Sequence, residues 1–166
     1  MSSQDKNLSD LSYEGADQAS ELKIAIIRSE WNSDITERLL HGAIESLHKY
    51  GIADKNIKVI HVPGSFELPI GAQMVLECQD PQPHAVICLG CVIRGETSHF
   101  DYVSQAVSSG IKDVGLKYNV PVIFGVLTDD KKEQSLARSG GELGNKGEEA
   151  AVTAVKMALI QRKLRK

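Results

Sequence analysis

The segment from Gly90 to His99 carries the side chains best suited to chemistry. Gly90 and Gly95 have the G-x-x-x-x-G spacing of a nucleotide phosphate loop, but Glu96 stands where that loop needs lysine. We therefore exclude nucleoside triphosphate chemistry. A turn led by Gly95 into a helix remains, and its backbone N–H groups either hold one small anion or form a plain strand-to-helix turn.

His99 is the candidate proton-transfer residue. It falls in the first turn of a predicted helix, and an imidazole titrates near neutral pH, which suits it to general acid–base catalysis. Four other histidines have the spacing of surface or packing residues: His41, His48, His61 and His84.

Cys88 and Cys91 form a C-x-x-C pair, a spacing used in redox and zinc sites. Cys88 lies inside the most hydrophobic predicted strand, and residues three apart on a strand face opposite ways. We interpret both as buried, inert thiols, and Cys78 with His84 does not provide a second zinc-binding pair.

Three further residues could contact a ligand. Trp31, the only tryptophan, directly follows a predicted strand, where it either stacks on a planar ligand or packs at the entry to a helix. Arg138 and Lys146 flank a glycine-rich stretch, where they either bind an anion or cap a short helix.

Length and composition restrict the class of protein. The chain has 166 residues, of which 42% are hydrophobic and 25% charged, values typical of one globular domain. The net charge of −3 argues against nucleic acid as a partner, and no apolar run is long enough for a membrane span. Residues 1–20 are polar and lack the pattern of a secretory signal, so we expect a flexible tail, a domain over residues 21–166, a cytoplasmic location and reduced cysteines.

Strand and helix patterns alternate along the domain. Short apolar runs predict four strands, at Leu22–Arg28, Ile57–Val62, Ala85–Leu89 and Pro121–Leu127. Helical spacing predicts helices from the Asn32–Asp34 cap region to Gly51, over Leu68–Cys78, from about His99 to Leu116, and from Gly147 onward. A short helix capped by Thr128–Asp130 is expected to fade at Gly140–Gly141.

This alternation predicts a single α/β domain of three layers, doubly wound, with a four-stranded parallel sheet and helices on both faces. Ligands of such sheets bind beyond the carboxyl ends of the strands. The candidate residues follow the predicted strands, so we expect them to meet at that end of the sheet.

Four segments resemble the 6,7-dimethyl-8-ribityllumazine synthase family, which has a flavodoxin-like fold. The resemblance extends colinearly from about Leu22 to the C-terminus. The segments are Pro63-Gly-Ser-Phe-Glu-Leu-Pro69, Gly90-Cys-Val-Ile-Arg-Gly-Glu-Thr-Ser-His-Phe-Asp-Tyr-Val103, Pro121-Val-Ile-Phe-Gly-Val-Leu127 and Gly144-Asn-Lys-Gly147.

The resemblance implies a transferase of riboflavin biosynthesis that joins 5-amino-6-(D-ribitylamino)uracil to 3,4-dihydroxy-2-butanone 4-phosphate, without metal or organic cofactor. It implies His99 as the proton-transfer residue. It further implies pyrimidine and ribityl contacts from Trp31, Ser65, Phe66, Glu67, Val92, Ile93, Phe124 and Lys146, and phosphate contacts from Gly95, Glu96, Thr97 and Arg138.

The resemblance also implies a homo-oligomer. Members of the family form pentamers, some of which assemble into shells of 60 subunits, and Phe124, Arg138 and Lys146 match residues that an adjacent subunit supplies. The segment from Arg138 to Gly147 shows no extra residues, which favours the shell, whereas Glu142 stands where shell-forming members usually have lysine. Two alternatives stay open: a non-catalytic flavin-binding protein with the same pocket, and a redox protein built on Cys88 and Cys91.

Overall fold

The chain folds around four parallel strands that are separated by helices. The computed structural model describes residues 18–165, so residues 1–17 of the predicted tail lie outside the described residues. The elements are β1 (Ile24–Ser29), α1 (Ser33–Lys49), β2 (Ile57–Val62), α2 (Leu68–Cys78), β3 (Ala85–Ile93), α3 (His99–Tyr118), β4 (Val122–Asp129), α4 (Lys132–Ala137), β5 (Ser139–Gly141), β6 (Gly144–Asn145) and α5 (Lys146–Leu164). Single 3₁₀ turns precede β2 and α2.

The sheet has the strand order β2-β1-β3-β4, and all three strand pairings are parallel. β1 is buried along its whole length, and β3 is buried from Ala85 to Cys91. Two central strands of apolar residues thus form the interior of the sheet, as parallel pairing requires. Within the described residues, β2 and β4 are its edges.

Side chains of the central strands alternate between two cores. Ile24 and Ile26 pack with α1 and α5 on one face, and Ala25 and Ile27 pack with α2 and α3 on the other. The three-layer, doubly wound α/β domain is therefore confirmed. No helix in residues 18–165 is long and apolar enough to span a membrane.

The start of α1 differs from the sequence prediction. Asn32 adopts the left-handed conformation (φ 57°, ψ 47°) and makes no side-chain cap hydrogen bond. Its amide instead donates to the carbonyl oxygen of Cys91 at 3.2 Å. The predicted end is confirmed, because Gly51 follows the helix with a φ of +75°.

The predicted capping of α4 is wrong, because Thr128 and Asp129 belong to β4, which pairs with β3 as far as the partners Ile93 and Asp129. The ladder keeps these residues extended, so α4 begins at Lys132 and ends at Ala137. The glycine-rich stretch that follows forms the unpredicted antiparallel pair β5–β6, with positive φ at Gly140 and Gly144.

The α1–α5 contact depends on a glycine. Asn145 caps α5 by accepting a hydrogen bond from the Gly147 N–H at 2.8 Å, and its amide donates to the Arg38 carbonyl oxygen at 2.9 Å. These bonds bring the first turn of α5 against α1, and a Cβ on Gly147 would overlap the Leu39 carbonyl group.

We expect Gly147→Ala to destabilise the domain by about 3 kcal/mol or more, because the overlapping atoms belong to the backbone of a packed helix. For a domain of this size, this corresponds to a fall in Tm of roughly 6 to 12 °C by scanning calorimetry. Gly95→Ala is the matched control, since a Cβ there meets no atom within 4 Å. Equal Tm values for the two variants would contradict the close packing of α5 on α1.

Candidate active site

A cavity of about 310 Å³ lies beyond the carboxyl ends of β1, β2 and β3. We call it the strand-end cavity. Its lining comes from the segments that follow β1 and β2, the end of β3 and the start of α3: Trp31, Asn32, Gly64, Ser65, Phe66, Glu67, Cys91, Val92, Ile93, His99 and Val103. Seven residues that the sequence predicted to be functional are therefore brought together: Trp31, Ser65, Phe66, Glu67, Val92, Ile93 and His99.

Backbone and side-chain hydrogen bonds fix the floor of the strand-end cavity. The N–H of Trp31 donates to the carbonyl oxygen of Pro63 at 3.1 Å, so the segments after β1 and β2 continue side by side. The Cys91 carbonyl oxygen accepts from both Asn32 Nδ2 at 3.2 Å and Ser65 Oγ at 3.4 Å. Asn32 thus links the end of β1 to β3, a role that sequence reasoning missed by treating it as a helix cap.

Two aromatic side chains of the strand-end cavity are exposed. Trp31 is 73% exposed and Phe66 is 59% exposed. An exposed tryptophan is not a packing anchor at the entry to a helix, so the packing interpretation of Trp31 is wrong for the single chain. Its ring is available to stack on a planar molecule.

His99 is the first residue of α3, as predicted, and is exposed. Its backbone N–H donates to Thr97 Oγ1 at 3.4 Å, which links the helix to the preceding loop. Gly95, Glu96 and Thr97 are also exposed, and they line neither the strand-end cavity nor the second cavity described below. The loop of Gly95, Glu96 and Thr97 therefore lies exposed between the end of β3 and His99.

Arg94 fixes both ends of this loop, a role that sequence reasoning did not assign. Its Nε donates to Asp130 Oδ1 at 2.7 Å and its Nη1 donates to Asp101 Oδ1 at 3.1 Å. The guanidinium also lies 4.1 Å from the centre of the Phe100 ring. The hydrogen bonds that Arg94 donates, first to Asp130 and then to Asp101, raise its pKa. The available signal was an arginine beside the loop glycine, but no spacing pattern identifies Asp101 and Asp130 as its partners.

A second cavity, of about 530 Å³, lies along the edge strand β4 and the start of α5. We call it the edge cavity. Its lining includes the remaining predicted site residues that lie away from the loop: Phe124, Arg138 and Lys146. Phe124 is 42% exposed. The two cavities have no lining residue in common, so a single chain separates the predicted site residues into two groups.

Both cations of the edge cavity have carboxylate partners. Arg138 Nη1 donates to the Gln134 carbonyl oxygen at 3.0 Å and lies 3.9 Å from Asp129 Oδ1. Lys146 Nζ contacts Glu149 Oε2 at 2.7 Å. Sequence reasoning missed both carboxylates, because neither follows a motif and each is identified only by its partner.

The thiols of the C-x-x-C pair are buried on opposite faces of the sheet. Cys88 packs with the α2–α3 core and Cys91 with the α1–α5 core. Burial raises the pKa of both thiols, which opposes formation of a reactive thiolate. The prediction that both thiols are buried is confirmed. Their side chains lie on opposite faces of the sheet, which is incompatible with a dithiol redox pair.

Two of the other histidines, His61 and His84, accept hydrogen bonds. His61 Nδ1 accepts from Arg28 Nε at 3.1 Å, and His84 Nδ1 accepts from the Lys23 N–H at 2.9 Å. Burial, with a smaller effect from Arg162, lowers the pKa of His84. Neither lines the strand-end or the edge cavity.

Fold and cavity together define a doubly wound α/β protein with a cavity of ligand size beyond the ends of its strands, where proteins of this class bind small ligands. A family model described as 6,7-dimethyl-8-ribityllumazine synthase matches residues 21–162. The chain therefore belongs to the 6,7-dimethyl-8-ribityllumazine synthase family.

Curated relatives agree over nearly the whole chain. A 6,7-dimethyl-8-ribityllumazine synthase of Cytophaga hutchinsonii is 55% identical over 95% of this chain and 97% of its own length. Proteins of the same name from Parabacteroides distasonis and Phocaeicola vulgatus are 51% and 47% identical, over 92% and 96% of this chain and 94% of each relative. None of these findings favours the non-catalytic flavin-binding alternative.

We expect the folded protein to expose one reactive thiol per chain, that of Cys78, because Cys78 is exposed whereas Cys88 and Cys91 are buried. Titration with a chromogenic disulfide reagent should show one fast thiol, with the other two appearing only after unfolding. Cys78→Ser is the control and should abolish the fast phase. A fast phase that persists in this variant would mean that a strand thiol is accessible.

Proposed function

We propose that this chain condenses 5-amino-6-(D-ribitylamino)uracil with 3,4-dihydroxy-2-butanone 4-phosphate to 6,7-dimethyl-8-ribityllumazine, releasing phosphate and water. Family membership supports the reaction. The observation that carries the assignment of residues is the grouping of Trp31, Glu67 and His99 around one strand-end cavity. Three free cysteines suit the reducing cytoplasm, where we place the reaction.

The strand-end cavity holds the pyrimidine substrate. The exposed indole of Trp31 stacks on the ring, and the backbone of Val92 and Ile93 contacts the edge of the ring. Ser65, Phe66 and Glu67 hold the ribityl chain. Support comes from the lining of the cavity, which combines exposed aromatic rings with polar side chains and so matches a flat heterocycle with a hydroxylated side chain.

The phosphate of the second substrate binds between the loop of Gly95, Glu96 and Thr97 and the guanidinium of Arg138. The loop binds the phosphate through backbone N–H groups, which carry no net charge. The Glu96 side chain takes no part in this binding, and its carboxylate points away from the phosphate. Arg138 adds charge-assisted hydrogen bonds that a planar guanidinium can make in pairs. Arg94 supports this arrangement, because its bonds to Asp101 and Asp130 anchor the loop.

His99 moves the protons of the reaction. The amine of the pyrimidine attacks the ketone, and one water is lost as an imine forms. Phosphate is then eliminated, and the resulting enol becomes a carbonyl group. The ribitylamino nitrogen attacks this carbonyl and closes the ring with loss of a second water. Each step transfers a proton, and an imidazole at the mouth of the cavity can accept and return it near neutral pH. Much of the acceleration comes from holding two substrates together, which makes their reaction effectively intramolecular.

The complete site is built from two adjacent copies of the chain. One copy supplies the strand-end cavity with His99, and its neighbour supplies Phe124, Arg138 and Lys146 from the edge cavity. The separation of these residues into two cavities without a common lining residue supports this arrangement. So do the exposed rings of Trp31, Phe66 and Phe124, which a second copy would cover.

Repetition of this contact from one copy to the next closes a ring, which we propose is a pentamer. The short β5–β6 pair between α4 and α5 supports further assembly into a shell of 60 subunits, because it adds no protruding insertion. Light scattering of the purified protein would distinguish a pentamer from a shell directly.

We expect His99→Ala to slow turnover by roughly 10- to 10⁴-fold, the range for loss of one positioned proton-transfer group. The smaller effect is expected, because the substrates are still held together. The measurement is steady-state formation of the lumazine, followed by its absorbance together with phosphate release. His41→Ala is the control, since His41 lies on α1 and lines neither proposed half of the site. Full activity of His99→Ala with both substrates saturating would remove His99 from the mechanism.

We expect Arg138→Lys and Arg138→Ala to raise the apparent KM for the phosphorylated ketone, because lysine cannot reproduce two parallel hydrogen bonds to phosphate. The KM for the pyrimidine should change little. Initial-rate measurements with each substrate varied in turn separate the two constants. A change confined to the KM for the pyrimidine would show that Arg138 does not bind the phosphate.

A further inference from the structure

Arg138 does not face its cavity with a free positive charge. Its Nη1 lies 3.9 Å from Asp129 Oδ1, and the side chains of Arg138 and Asp129 are only 25% and 13% exposed. A partly buried carboxylate therefore stands beside the guanidinium to which we assign the phosphate. From the sequence, Asp129 is assigned only to the predicted cap of a short helix.

A hydrogen bond from a buried serine holds Asp129 in place. The hydroxyl of Ser135, which is fully buried, donates to Asp129 Oδ2 at 2.7 Å. The same oxygen of Ser135 accepts from the thiol of Cys91 at 3.4 Å. Because the serine proton points to Asp129, one carboxylate oxygen is occupied, and the other is left for Arg138.

The orientation of Arg138 comes mainly from another group. Its Nη1 donates to the Gln134 carbonyl oxygen at 3.0 Å, one turn back along α4. The contact with Asp129 is longer, at the outer limit of an ion pair. Asp129 therefore acts on Arg138 by its charge more than by holding its geometry.

Charge balance gives this carboxylate a consequence for anion binding. The ionisable groups that face the edge cavity are Arg138, Lys146, Asp129 and Glu149, two cations and two carboxylates. A phosphate that binds Arg138 must therefore do so beside the negative charge of Asp129, within a few ångströms and partly shielded from water. Like charges in such a setting repel appreciably.

We propose that Asp129 is the resident counter-ion of Arg138 and competes with phosphate for it. This inference rests on the proposed role of Arg138 in binding the phosphorylated ketone. Asp129 weakens binding of the phosphate group and pairs with Arg138 again when inorganic phosphate leaves. During turnover, Asp129 thus limits inhibition by the phosphate product. Asp129 adjusts the affinity for phosphate and takes no part in the chemical steps.

The test is the inhibition constant of inorganic phosphate, measured against the phosphorylated ketone in the assembled protein. Asp129→Asn keeps the shape of the side chain and an oxygen that can accept from Ser135, but removes the charge. We expect both this inhibition constant and the KM for the phosphorylated ketone to fall by roughly 3- to 30-fold. The KM for the pyrimidine should be unchanged.

Asp54→Asn is the matched control for net charge, because Asp54 is exposed in the 3₁₀ turn before β2, the other edge strand. It should leave both phosphate constants unchanged. Ser135→Ala is the second variant: it removes the hydrogen bond to Asp129 but keeps the charge, so it should change the inhibition constant by less than Asp129→Asn does. Circular dichroism and Tm confirm folding of each variant.

The double variant Asp129→Asn with Arg138→Ala separates this proposal from the assignment of Arg138. If Arg138 binds the phosphate, Arg138→Ala alone raises the KM for the phosphorylated ketone, and Asp129→Asn has little further effect in that background. An unchanged or higher inhibition constant in Asp129→Asn would overturn the counter-ion role. A full effect of Asp129→Asn without Arg138 would overturn the competition for the guanidinium.

Discussion

Parallel pairing of four strands is the constraint on which the rest of the structure depends. β1 and β3 each lie between two neighbouring strands and two helical layers, so their side chains are mostly apolar on both faces. Parallel strands all end at the same edge of the sheet, so the segments after β1, β2 and β3 are collected into one cavity. This topology alone brings together Trp31, Glu67 and His99, the residues to which we assign the chemistry.

The same constraint gives a physical reason for the proposal that one chain does not complete the site. β4 is an edge strand within residues 18–165, and Phe124 on it faces a cavity separate from that of His99. Exposed aromatic rings at both cavities leave apolar surface in contact with water in an isolated chain. A contact between copies would cover this surface. In the proposed arrangement, assembly and catalysis are one requirement, because the contact that covers the rings would also bring Arg138 to the loop that we assign to the phosphate.

The sequence predicted the parts of the fold that depend on local patterns. The apolar runs of β1 and β3, the glycine after α1 and the start of α3 at His99 are all confirmed. Features that depend on particular side-chain partners, which no spacing pattern specifies, were missed: the left-handed Asn32 bonded to Cys91, the Arg94 bonds to Asp101 and Asp130, and the Ser135–Asp129–Arg138 contacts. Thr128 and Asp129 have cap-forming side chains, but pairing with β3 overrides that preference.

The shared site is tested most directly by mixing His99→Ala and Arg138→Ala, two variants expected to be impaired, after dissociation and reassembly. In mixed rings, about a quarter of the contacts place an intact His99 beside an intact Arg138. The mixture should therefore recover activity above that of either variant carried through the same cycle alone. If native mass spectrometry shows mixed rings and activity does not rise, the site lies within one chain and the shared arrangement is wrong.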